Sequence, residues 1–189
     1  MTLHKLPNGS IHLSRLNSWD VQTFRSLSSL ADYSKDAAAE KRLLPAPAAD
    51  QDLSPEMAMD WVEYVIPELR ESFAHNLETV LADLKNLTEE PEPPPSEAEF
   101  PDDREPGTQR ETEPEMPHFC LAIPADHVEQ WYRAMNQARI VLSAQYGIDS
   151  EHVPDLAKLL ESGQLEKWFQ YELFVSLQGW LVEVAMNPD

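Results

Sequence analysis

One stretch limits what this chain can fold into more than any other. Between Glu89 and Pro117 lie eight of its sixteen prolines and eleven acidic residues, opposed only by Arg104 and Arg110. Phe100 and Met116 are the only large apolar side chains there. A segment so poor in apolar surface cannot offset its own chain entropy, and proline and like charge hold it extended. The expectation is a disordered acidic spacer over 89–117, separating residues 1–88 from residues 118–189, with the two flanks packing together as one domain. Pro91 and Pro94 have the P-x-x-P spacing read by proline-groove domains, but the flanks lack the basic residues such grooves often want.

Charge narrows the partners. With 14 Lys and Arg against 34 Asp and Glu the net charge is −20. Nucleic acid and anionic membrane surfaces are both recognised through Lys and Arg, and no basic stripe exists, so neither is expected as a partner. High charge serves solubility first, with a basic protein partner as the alternative. Cys120 is the one cysteine, which excludes an intramolecular disulfide and a multi-thiolate metal site. His118, two positions earlier, adds a faint metal hint, against the plainer reading of a packed thiol beside a surface histidine. Met1 to Leu16 lack the apolar core of a signal peptide, and no apolar run is long enough to cross a bilayer. A cytoplasmic location follows as an expectation.

The flanks predict a mainly α protein: a helical bundle with a small antiparallel sheet. Leu3, Leu6, Ile11 and Leu13 surround Pro7-Asn8-Gly9, a hairpin signal, because Asn and Gly tolerate positive φ. Phe119, Leu121 and Ile123 alternate with smaller residues and supply one further strand near 118–123. Helix starts are marked by Asn17-Ser18 and by Ser54-Pro55. Pro67 should kink or restart the second of these helices. Leu69, Phe73, Leu77, Val80, Leu81 and Leu84 then form a buried stripe. Two more helices follow the strand, from about Asp126 to a stop at Gly147, and from Pro154 to Gly163. The last, Gln164 to Met186, is apolar on more than one face, which places Trp180 in the core between the C-terminal helices.

Chemistry is scarce in this pattern. No glycine-rich phosphate loop, nucleophile elbow or paired-cysteine motif occurs, and no cofactor or catalytic residue is expected. Glu71, His75 and Glu78 share one helix face at i, i+4 and i+7. That is a weak metal-ligand arrangement, or a solvated face with side-chain pairs. The densest signal is Trp131 to Leu142. Trp131, Met135, Ala138 and Leu142 make one stripe, with Tyr132, Asn136 and Arg139 on the adjoining face. An arginine so placed should find a carboxylate, and the last helix offers Glu172 and Glu183. The alternative is that Asn136 and Arg139 bind an anionic or peptide ligand.

The segment Trp131 to Leu142, followed by Tyr146-Gly147-Ile148 and the Trp168 to Leu181 helix, resembles domain-of-unknown-function family number two thousand seventeen of bacteria. The opening hairpin, Ala39-Glu40-Lys41-Arg42-Leu43-Leu44-Pro45 and the helix from Pro67 fit the same resemblance. Met135-Asn136-Gln137-Ala138-Arg139-Ile140-Val141-Leu142 is its best motif; members read Leu where this chain has Met135. Genes of that family often lie beside that of the Clp protease adaptor, so the resemblance implies a role around regulated proteolysis. The expected function is a non-enzymatic interaction or regulatory protein with a protein partner not yet identified and an oligomeric state the sequence does not give. The alternative is a small-molecule- or metal-binding protein, with or without enzymatic activity, using Arg139 and Asn136 or the Glu71, His75 and Glu78 face.

Overall fold

A computed structural model describes residues 1–47, 54–90, 117–148 and 155–186, with side chains to residue 184. Strands β1 (Thr2–Lys5) and β2 (Ile11–Leu16) form the expected antiparallel hairpin. Gly9 adopts φ +82 in the turn, where a side chain is strained, and a Cβ there would also crowd Ala125 Cβ at 3.3 Å. Helix α1 (Ser18–Arg25) follows, started by a capping box in which Asn17 and Asp20 exchange side-chain to backbone hydrogen bonds. Helix α2 (Leu27–Leu30) and helix α3 (Ala37–Leu43) come next, the latter capped by the Asp36 side chain.

Ser54 caps helix α4 (Pro55–Asp60). The disturbance expected at Pro67 takes the form of a π turn over Trp61–Val65, ahead of helix α5 (Ile66–Asp83). Proline has no N–H for the carbonyl one turn earlier, and widening that turn relieves the mismatch without breaking the helix.

Beyond α5 the chain forms a strand that the sequence did not suggest, β3 (Thr88–Glu89), paired with β4 (Phe119–Ile123). The sheet is antiparallel in the order β1-β2-β4-β3. The spacer boundary placed at Glu89 is therefore corrected: Glu89 pairs with Phe119, and the Glu90 N–H donates to the His118 carbonyl at 2.8 Å. The register slips between Leu13 and Leu16, where Arg15 has φ 55. A bulge of this kind frees a backbone donor. Here the Arg15 N–H donates to Glu90 Oε2 at 2.9 Å, so an acid at the spacer's edge seals the sheet's irregularity. Residues 91–116, with the Pro91 and Pro94 pattern, lie outside the described residues.

Helix α6 (Val128–Tyr146) ends at Gly147, in the left-handed conformation expected of it. Helix α7 (Leu156–Glu161) and helix α8 (Leu165–Met186) complete the fold. The core joins Ile11, Leu13, Leu121 and Ile123 of the sheet to Phe24, Val80, Trp131, Phe174 and Leu177 of the helices, so it draws on both sides of the spacer. Trp180 is not part of it. Tyr171, Phe174, Leu177, Gln178 and Leu181 make a single inward stripe on α8, while Phe169, Trp180 and Val182 face outward, Trp180 at 39 % exposure. One helix touching neighbours on one side buries one stripe, whatever the chemistry of its other faces.

Candidate functional site

Two ionisable side chains tie the helices together from within, and their surroundings differ. Asp83, at the end of α5, is buried. The Trp131 indole N–H donates to its Oδ2 at 2.9 Å, and His127 Nδ1 lies 3.0 Å from each carboxylate oxygen. The acid has three polar contacts and links α5 to the start of α6. Trp131 itself is fully buried, edge-on to Phe24 with ring centroids 5.7 Å apart.

Arg139 sits on α6 about two turns beyond Trp131. Its helix turns Trp131, Met135, Ala138 and Leu142 into the core, as the stripe predicts. Asn136, Arg139 and Ser143, spaced i, i+3 and i+7, then share the next face. The sequence expectation was a carboxylate from α8. Among the described residues no carboxylate makes an ion pair with Arg139, so that expectation is corrected. Tyr171 and Gln178 are seven apart, and both are buried where α8 meets α6. Glu172 and Glu183 are turned roughly 100–120° from that line, so Glu172 is half-buried elsewhere and Glu183 is exposed. Arg139 instead donates from Nη1 to Gln178 Oε1 at 2.5 Å and makes a long 3.5 Å approach from Nη2 to the Tyr171 hydroxyl. Its guanidinium carbon lies 5.3 Å from the Tyr171 ring centroid, a cation–π contact. Gln178 is fixed in turn, its amide donating to the Tyr132 carbonyl at 2.9 Å. Arg139 Nε is buried with no partner among the described residues.

These groups open onto a small polar pocket of about 180 Å³ lined by Arg42, Asn136, Arg139, Ile140, Ser143, Ile148 and Tyr171. Arg42 reaches in from α3 and donates to Ser143 Oγ at 3.1 Å. Among the described residues the lining holds two guanidiniums, an amide, a hydroxyl and a phenol, and no carboxylate. Such a surface can accept an oxyanion through several charge-assisted hydrogen bonds.

Of the residues the sequence singled out, Asn136 and Arg139 come together here. Tyr132 contributes only its backbone carbonyl; its side chain lines a separate apolar groove of about 470 Å³ with Ile11, Val128, Leu181 and Val182. Glu71, His75 and Glu78 lie exposed on α5, and among the described residues no three His, Cys, Asp or Glu groups are placed to hold a metal ion. Cys120 Sγ lies 3.2 Å from Thr88 Oγ1, half-buried in the sheet. Arg42, Ser143, Tyr171, Gln178, Asp83 and His127 went unseen. Ser143 was within reach, since it continues the Asn136 and Arg139 spacing by one turn. Arg42 was not, because nothing local says that α3 packs on α6.

Comparison with known proteins agrees with the motif. The sequence model of a family described as Domain of unknown function (DUF2017) matches residues 14–185. No curated protein and no solved structure matches the chain.

Proposed function

The chain belongs to the DUF2017 family of domains of unknown function, and from that premise, which carries no reaction, we propose a non-enzymatic regulatory protein that binds an anionic group in the Arg42 and Arg139 pocket. The observation that carries this reading is the state of Arg139. A half-buried guanidinium whose partners among the described residues are neutral, with an orphaned Nε, is costly to keep unless something compensates it. A bound oxyanion would do so, and Arg42 doubles the charge offered to it.

A protein partner is the other half of the proposal. On α4 and the π turn, Met57, Met59, Val62 and Tyr64 are all more than half exposed, Met59 to 69 %. Flexible methionine-rich surfaces of this kind suit protein contacts. A cytoplasmic setting around Clp-dependent proteolysis is part of this proposal; it rests on the gene neighbourhood that the sequence resemblance implies. Among the described residues no helix is long and apolar enough to cross a membrane.

The test is thermal unfolding of the full chain in sodium phosphate, sulfate and acetate against sodium chloride at matched ionic strength. A ligand that binds the folded state alone raises Tm with concentration. The expected result is such a rise with at least one oxyanion, lost in Arg139→Gln. Identical melts in all four salts would end the anion-site reading.

A further inference from the structure

The pocket's geometry points further, to the class of anion. This step rests on the anion-site reading above. We infer that the ligand is a phosphate monoester, a tetrahedral oxyanion carrying two charges, and not a carboxylate.

Three observations converge on this. First, the donors come from three helices: Arg42 from α3; Asn136, Arg139 and Ser143 from α6; Tyr171 from α8. A planar carboxylate presents its lone pairs in one plane and meets a single guanidinium edge to edge. Donors spread over three helices match oxygens spread over a tetrahedron. Second, among the described residues the lining offers two formal positive charges and no acid, in a chain of net charge −20. Two guanidiniums held on one small pocket repel each other, and a dianion cancels both where a monoanion cancels one. Third, donor capacity is left over. Ser143 Oγ accepts from Arg42, and the Tyr171 hydroxyl receives the long approach from Arg139, so among the described residues neither hydroxyl proton is committed to an acceptor. The Asn136 amide, half-buried, makes no hydrogen bond among the described residues. Ile140 and Ile148 form the apolar part of the wall, where the carbon side of an ester would rest.

The experiment is isothermal titration calorimetry on the full chain at fixed ionic strength with four probes: methyl phosphate, dimethyl phosphate, sulfate and acetate. Methyl phosphate and sulfate are expected to bind more tightly than dimethyl phosphate and acetate by about ten-fold or more. Arg42 is exposed and its loss leaves the core intact, so Arg42→Ala should keep the parent melting curve while erasing most of that preference. Tyr171→Phe should weaken methyl phosphate without unfolding the chain. Glycerol phosphate and a phosphoserine peptide then separate the two sources of such an ester, a small metabolite and a modified side chain. The one that outbinds methyl phosphate names the source, and if both fall to the level of acetate the ester reading fails. Acetate binding as tightly as methyl phosphate would overturn the dianion inference and leave the anion pocket standing. Failure of every anion to bind would remove both. An Arg42→Ala variant with unchanged phosphate affinity would also overturn it, since the second charge would then be idle.

Discussion

Asp83 and Arg139 make an instructive pair. Each joins α6 to a neighbouring helix, yet among the described residues the acid is fully paired and the base is not. Asp83 has Trp131 on one oxygen and His127 across both. Arg139 has one firm neutral acceptor, one long contact, an aromatic face and a buried Nε without a partner. A buried polar group with full pairing fixes register and needs nothing more. One left partly unpaired inside a pocket is where a ligand gains most, because binding removes a cost already present. The two helix junctions therefore differ in kind: α5 against α6 closes around a paired acid, while α6 against α3 and α8 leaves a polar pocket, the one proposed above to bind an anion.

The comparison breaks most visibly at Trp131. Trp131→Ala removes the largest fully buried side chain together with a donor to Asp83. The expected cost is on the order of 3–5 kcal/mol, read from urea unfolding. A midpoint close to the parent's would mean that the α5 and α6 junction does not close around the acid as described. Asp83→Ala comes next. It strands the Trp131 N–H and removes the His127 contact, at roughly 1–3 kcal/mol for the buried indole alone. Trp131→Phe combined with Asp83→Leu should recover part of that loss, since no buried donor is left without an acceptor.

Arg139→Met sharpens the contrast from the other side. Its partners are neutral, so no opposite charge is stranded, and the loss should be near 1 kcal/mol. That is well below the cost expected for a buried ion pair, while anion-dependent stabilisation should vanish. A loss as large as that of Trp131→Ala would show that Arg139 is a structural residue like Asp83. Trp180→Ala marks the floor of the scale. With Trp180 39 % exposed on the outer side of α8, its removal should cost under about 1 kcal/mol in the same unfolding assay. A larger loss would mean that this outer face is covered in solution.

Local signals in the sequence carried the elements. Asn8-Gly9, Asn17 with Asp20, Ser54-Pro55, Gly147 and Gly163 all act through the backbone within a few residues, so their roles could be assigned before any packing was known. The Trp131, Met135, Ala138 and Leu142 stripe was legible for the same reason: a helix's period is intrinsic to it. Family membership was legible too, because a motif is a property of order along the chain. Tertiary structure decided the rest. Trp180 is apolar enough for a core, but which face of α8 is buried depends on where α6 lies. Arg139 was bound to seek a partner, but whether α8 offers it Glu172 or Gln178 is a matter of rotation about the helix axis. Glu89 belongs by composition to the acidic spacer, yet β4 had an unpaired edge and the Arg15 bulge a free N–H that Glu90 could reach. Arg42 stands almost a hundred residues from Arg139, and only the packing of α3 on α6 brings two arginines to one pocket. Periodicity and caps are short-range energies written in neighbouring residues, whereas pairing between distant side chains exists only once the helices have met.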